Sequence, residues 1–148
     1  MVFDDQKRSL KEIIFDAKDI VSEVFHGDKH LRTLENIIER AIELSENKED
    51  DLDNIHKLGE GWVAEETMGI SLYCALKYQN DFSAGVIASV NHNGDSDSTG
   101  AVTGNILGAW IGYEAIENKW KDNLELLDVI LELADDLCMT GKNECSWF

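Results

Sequence analysis

The chain has 148 residues, 43% of them hydrophobic, and no proline. That length fits one domain able to bury roughly two thirds of its unfolded surface, and the composition is that of a folded protein, which argues against disorder except at the ends. With 30 acidic against 13 basic residues the formal charge is −17, which repels phosphate backbones and anionic headgroups and argues against nucleic acid or a membrane as partner.

The opening MVFDDQKRSLKEIIFDAKDI is charged throughout and lacks the basic start and apolar run of a signal peptide. Three cysteines, Cys74, Cys138 and Cys145, are odd in number and without metal spacing, which suits reduced thiols and a cytoplasmic protein. From Leu10 through Ile13, Ile14, Ala17, Val21, Val24 and Phe25 the apolar residues recur at three and four, predicting an amphipathic helix that ends near HGD. A second helix begins about Leu31 and runs on Leu34, Ile37, Ile38, Ala41 and Ile42. The acidic stretch SENKEDDLDN after it reads as a solvated connection.

LGEGWVAEETMGISLYCALKY opens on two glycines and becomes a third helix, apolar on most faces, which belongs in the core with Cys74 buried in it. DFSAGVIASV is helix or strand by periodicity, and its helical surroundings favour helix. Gly100, Gly104, Gly108 and Gly112 fall four apart, predicting a helix with one bare face that another backbone can approach. The stretch is too short and, with Thr103 and Asn105, too polar to span a membrane. A last helix uses Leu124, Leu127, Ile130, Leu131, Ala134 and Leu137, and TGKNECSWF reads as a tail. Trp110, Trp120 and Tyr113 read as core or interface packing.

Before the glycine-striped helix stands NHNGDSDSTGAVTGN, Asn91 to Asn105. Asp95, Asp97, Ser98 and Thr99 can accept the free N–H groups of a first helical turn, one such cap contributing about 1 kcal/mol. They can equally offer hard oxygen ligands to Mg²⁺, Mn²⁺ or Ca²⁺. An EF-hand loop starting at Asp95 would place Ile106 where a bidentate glutamate is required, so that reading is rejected. His26 and His30 have a zinc-compatible spacing but a Gly27-Asp28 turn between them and no convincing third ligand. His92, beside the motif, can contact a ligand, act as a base or simply sit in its loop, and Asn91 and Asn93 can shape the turn or reach towards a sugar.

NHNGDSDSTGAVTGNILGAWIG, with LGEGWVAEE upstream and LELLDVILELADDL downstream, resembles the C-terminal part of the ADP-ribosylglycohydrolase family. The likeness is continuous from Leu58 to Leu137 and weaker across the first two helices. It implies an all-α fold, a compact orthogonal helical bundle truncated to its C-terminal half, as a single helical domain over 1–148. It further implies a binuclear Mg²⁺ or Mn²⁺ site that hydrolyses the bond between ADP-ribose and a modified side chain or small molecule. Carried over by position, Asp95, Asp97 and Ser98 are metal ligands, with Asp95 and Asp97 the catalytic pair. Gly59, Gly61, Trp62, Asn91 and His92 are candidate contacts to ADP-ribose. Glu65 and Glu66 can support the site from behind or be solvated helix residues.

The family's N-terminal ligand set, a G-D-x-x-G turn and a T-D-D-T-like element, has no counterpart here. FDDQ at Phe3 to Gln6 and EDDLD at Glu49 to Asp53 hold paired aspartates without the flanking threonines. The expectation is half a metal site, completed by a companion N-terminal half or by a homo-oligomer, with a catalytically inactive ADP-ribose-binding or assembly subunit, or a remnant that folds without catalysing, as the alternative.

Overall fold

The structure, a computed structural model, describes residues 8–143. Among these there are helices and turns and no strand, as expected. The chain divides into two compact units, Met1–Ala115 and Ile116–Phe148.

In the first unit, α1 (Leu10–Val24) and α2 (Leu31–Ser45) match the two amphipathic stretches. Ser9 and Glu12 close a reciprocal capping box at the start of α1, an arrangement that contributes about 1 kcal/mol. Lys18 Nζ reaches Glu39 at 2.7 Å, and Ser22 donates to Glu35 at 2.6 Å, so polar contacts tie α1 along α2.

The acidic stretch is not a loop throughout: α3 (Asp51–Leu58) starts within it. Asp50 caps it, accepting the Leu52 N–H at 2.9 Å, while Ile55 and Leu58 are buried. The rest of its hold is polar. The Asp51 carboxylate accepts from Tyr73 and Tyr78 hydroxyls, each at 2.5 Å, and pairs with Lys77 at 2.8 Å. Buried Asn54 donates to the Tyr73 hydroxyl at 3.2 Å and exchanges hydrogen bonds with Asn47. Burial opposes ionisation of Asp51, but hydrogen bonds from Lys77 and the two tyrosines outweigh it and hold its pKa below the usual value. The paired aspartates of EDDLD are thus spent on a cap and a packing hub.

Tyr73 and Lys77 belong to α4 (Ala64–Lys77), the third predicted helix, whose residues from Gly69 to Leu76 are all buried. It packs against α2, α3, α5 (Phe82–Val90) and α6 (Ser96–Ile111) and is the centre of the core. Cys74 is fully buried there, and burial pushes its thiol well above the ordinary range.

The glycine-striped helix is α6, but the stripe is not its packing face. Thr99, Thr103 and Leu107, one residue ahead of the glycines, are the residues it buries. Gly100 abuts the Val90 side chain, Gly104 faces open space, and Gly112 caps the C-terminus with φ +81°. Trp110 packs against the core, whereas Tyr113, in a short 3-10 turn (Tyr113–Ala115), is exposed.

The second unit contains α7 (Asn118–Lys121) and α8 (Leu127–Asn143). The last helix therefore begins three residues after Leu124, beyond Leu126 with its φ of +57°, and continues into the stretch read as a tail. The remainder of that tail, with Cys145, and FDDQ near the start lie outside the described residues. No helix among the described residues is long and apolar enough to cross a membrane.

Candidate functional site

The turn between α3 and α4 needs both its glycines. Gly59 and Gly61 have φ of +126° and +84°, a region that side chains with a Cβ rarely adopt. Gly61 is buried, and a Cβ there would lie 3.0 Å from Thr99 Cγ2 and 3.4 Å from the Asp95 carbonyl oxygen. Glu66 stands at the third position of α4, where a glutamate ordinarily reaches back to its own N-cap N–H. Here its Oε2 instead accepts the Gly61 N–H at 3.0 Å and the Glu60 N–H at 3.2 Å. Thr67 Oγ1 donates to the Gly61 carbonyl at 2.8 Å, so two α4 side chains hold one turn.

That turn in turn holds the acidic motif. The Asp95 N–H donates to the Glu60 carbonyl at 2.8 Å, and a Cβ on Gly94 would overlap that carbonyl oxygen. Thr99, fully buried, anchors the first turn of α6 from below: its hydroxyl donates to the Ser89 carbonyl at 2.6 Å, and its own carbonyl accepts from Ser71 Oγ at 3.1 Å. His92 Nδ1 accepts the Gly94 N–H at 3.0 Å, which leaves the ring proton on Nε2, 2.9 Å from Thr99 Oγ1. Burial lowers the His92 pKa, in keeping with a neutral ring whose two nitrogens are both occupied.

Asp95 is the N-cap of α6, yet its side chain accepts no helix N–H. Asp97 takes one, that of Ser98, at 2.8 Å. Capping therefore uses little of the motif's oxygen. Hydrogen bonding with Asp97, then with Ser98, holds the Asp95 pKa below the ordinary carboxylate value. Two carboxylates and a hydroxyl are hard donors suited to Mg²⁺ or Mn²⁺, but fewer than the six ligands such an ion takes. Among the described residues no three His, Cys, Asp or Glu side chains gather into a metal cluster. The donor set fits part of a coordination shell.

A cleft of about 440 Å³ lies between the turn and the motif, lined among others by Gly61, Trp62, Thr67, Met68, Asp95 and Ser98. Trp62 is 66% exposed, and its Nε1 donates to Glu60 Oε2 at 3.1 Å, fixing the indole at the edge. The structure thus brings together Gly61, Trp62, Asp95 and Ser98, with exposed Asp97 in the same first turn. Gly59 shapes the turn without lining the cleft. Asn91 points its amide at the Ile87 carbonyl, 2.7 Å away at the end of α5, and lines a separate depression with Asp51 and Tyr78. His92 supports the loop from behind. Glu66, Gly94 and Thr99 carry more of the geometry than the sequence assigns them, because they act on backbone; a glutamate at the third helical position behind G-x-G is the one legible sign.

The ADP-ribosylglycohydrolase family model matches residues 3–146, through the first two helices as well as the motif. The chain is 23% identical over 134 residues to ADP-ribosylhydrolase ARH3 of Mus musculus, a match covering 84% of this chain and 35% of that protein. It is 32% identical over 103 residues to ADP-ribosylarginine hydrolase Tri1 of Serratia proteamaculans, covering 70% of this chain and 27% of that one. The chain spans about a third of the length of these curated relatives. No solved structure matches.

Proposed function

The chain belongs to the ADP-ribosylglycohydrolase family, and on that premise we propose that it is a metal-dependent ADP-ribosyl hydrolase carrying part of the usual binuclear site. The single observation behind this reading is the 2.8 Å bond from Asp95 N to Glu60 O, which joins the glycine turn to the acidic motif around one cleft. Asp95, Asp97 and Ser98 would hold Mg²⁺ or Mn²⁺, and an ion there supplies positive charge against phosphate and ribose hydroxyls and acidifies a bound water.

The chain's own residues do the rest. Gly61, bare of a side chain and buried at the cleft wall, lets a sugar or phosphate approach the backbone. Trp62 offers an exposed indole face for stacking on a base or covering a ribose. Asp95 and Asp97 place carboxylate oxygens at the start of α6, where one can take a proton from an attacking water. His92 keeps both nitrogens in the loop and is a structural support in this scheme, not the general base.

The rest of the coordination shell lies beyond the donors that the described residues bring together, and a second copy of this chain can supply it. Exposed Trp62, Val63 and Met68 around the cleft support an uncovered face there. A non-catalytic ADP-ribose-binding subunit is the second reading, favoured by the lack of a cluster of three ligands among the described residues.

The test is release of ADP-ribose from an ADP-ribosylated arginine peptide, the linkage named in one relative, with Mg²⁺ present. Asp97→Ala should abolish it. Activity unchanged by that substitution removes the metal assignment, and binding of ADP-ribose without turnover in the wild type selects the second reading.

A further inference from the structure

Glu66 lies three residues before the buried stretch of α4 and twenty-nine residues from Asp95 in sequence, yet a continuous set of hydrogen bonds joins them. Its Oε2 accepts the N–H groups of Glu60 and Gly61 at 3.2 and 3.0 Å. The Glu60 carbonyl then accepts the Asp95 N–H at 2.8 Å. The same carbonyl is pressed against Gly94, where no side chain could fit. Gly59, with φ +126°, leaves the space that the Glu66 side chain crosses, since a Cβ at 59 would collide with it.

We propose that Glu66 is a positioning residue for Asp95: by fixing the 60–61 peptide it sets the backbone from which the Asp95 carboxylate faces the cleft. This rests on the functional reading above. A glutamate that merely started α4 would bond the N–H of Val63, its N-cap, and its loss would stop at the helix end. Glu66 bonds the turn five and six residues back, so its loss is transmitted to the motif. The role needs an acceptor oxygen, not a negative charge, and glutamine supplies one of the same reach.

The experiment compares the full wild-type chain with Glu66→Gln and Glu66→Ala by NMR amide hydrogen exchange and by Mn²⁺ titration followed by electron paramagnetic resonance. Glu66→Ala should speed exchange about tenfold at Glu60, Gly61 and Asp95 and weaken Mn²⁺ binding at least about tenfold, the usual effect of losing a group that orients a ligand. Glu66→Gln should stay within about twofold of wild type in both. Unchanged exchange at Asp95 in Glu66→Ala overturns the proposal, leaving a local cap. Equal losses in Gln and Ala variants overturn it too, by showing that charge is what matters. If the wild type binds no Mn²⁺, the functional reading fails instead, and exchange at Asp95 decides the mechanical link by itself.

Discussion

Thr103 and Gly94 show how single atoms set the energetics of this fold. Thr103 is fully buried on α6, and its hydroxyl is the buried side-chain polar atom without a partner among the described residues. Leaving such a group unpaired costs about 1–3 kcal/mol. Thr103→Val, which keeps the shape and removes the hydroxyl, should raise stability by about 1 kcal/mol in urea unfolding; a loss would mean the hydroxyl has a partner in solution. Gly94 has no such latitude, because a methyl group there meets backbone, not a yielding side chain. Gly94→Ala should destabilise by about 1–3 kcal/mol and separate Asp95 from Glu60, seen as a lower melting temperature together with loss of protection at the Asp95 amide. Full protection with wild-type stability would contradict the close approach.

At the scale of elements, α3 is the instructive case. The helices with apolar periodicity, α1, α2, α4 and α8, are legible from the sequence within a few residues, and in α1, α2 and α4 burial of apolar residues accounts for them. α3 is not, because its eight residues hold only three large apolar side chains and its attachment runs through Asp51 to Tyr73 and Lys77 of α4 and to Tyr78, the C-cap of that helix. No local pattern encodes that. The candidate site divides the same way: the motif's donors are readable as chemistry, whereas Glu66, Gly94 and Thr99 act through backbone partners far away in sequence.

The hub makes α3 pH-sensitive. Asp51 has a lowered folded pKa, so its stabilisation is complete above the unfolded value near 3.9 and is lost as pH falls through the folded value. Tyr78 is pushed up to about 12, first by its hydrogen bond to Asp51 and then by burial. Its contribution is complete below about pH 10 and is lost as pH rises through about 12. Asp51→Asn should therefore cost about 2 kcal/mol at pH 7, as expected for hydrogen bonds to a charged group. The gap between variant and wild type should narrow below about pH 4 and again in strong alkali. A gap independent of pH would place the effect in packing alone.

For the whole molecule, the family's chemistry needs more ligands than the described residues bring together, and apolar side chains stand exposed beside the cleft. Val129, Ile130, Leu133 and Leu137 of α8 are exposed as well, in the second unit. Both observations predict association: light scattering at tens of micromolar should give a mass above that of one chain, despite the −17 charge that opposes it. A clean monomer would contradict self-association.

The central claim is that the glycine turn and the acidic motif form a usable metal-dependent cleft for ADP-ribose. Calorimetric titration of ADP-ribose into the purified chain, once with Mg²⁺ and once with chelator, tests it most directly. Saturable heat is expected with Mg²⁺ and should disappear with chelator and in Asp97→Ala. Binding of equal strength in both conditions, or none in either, would contradict it.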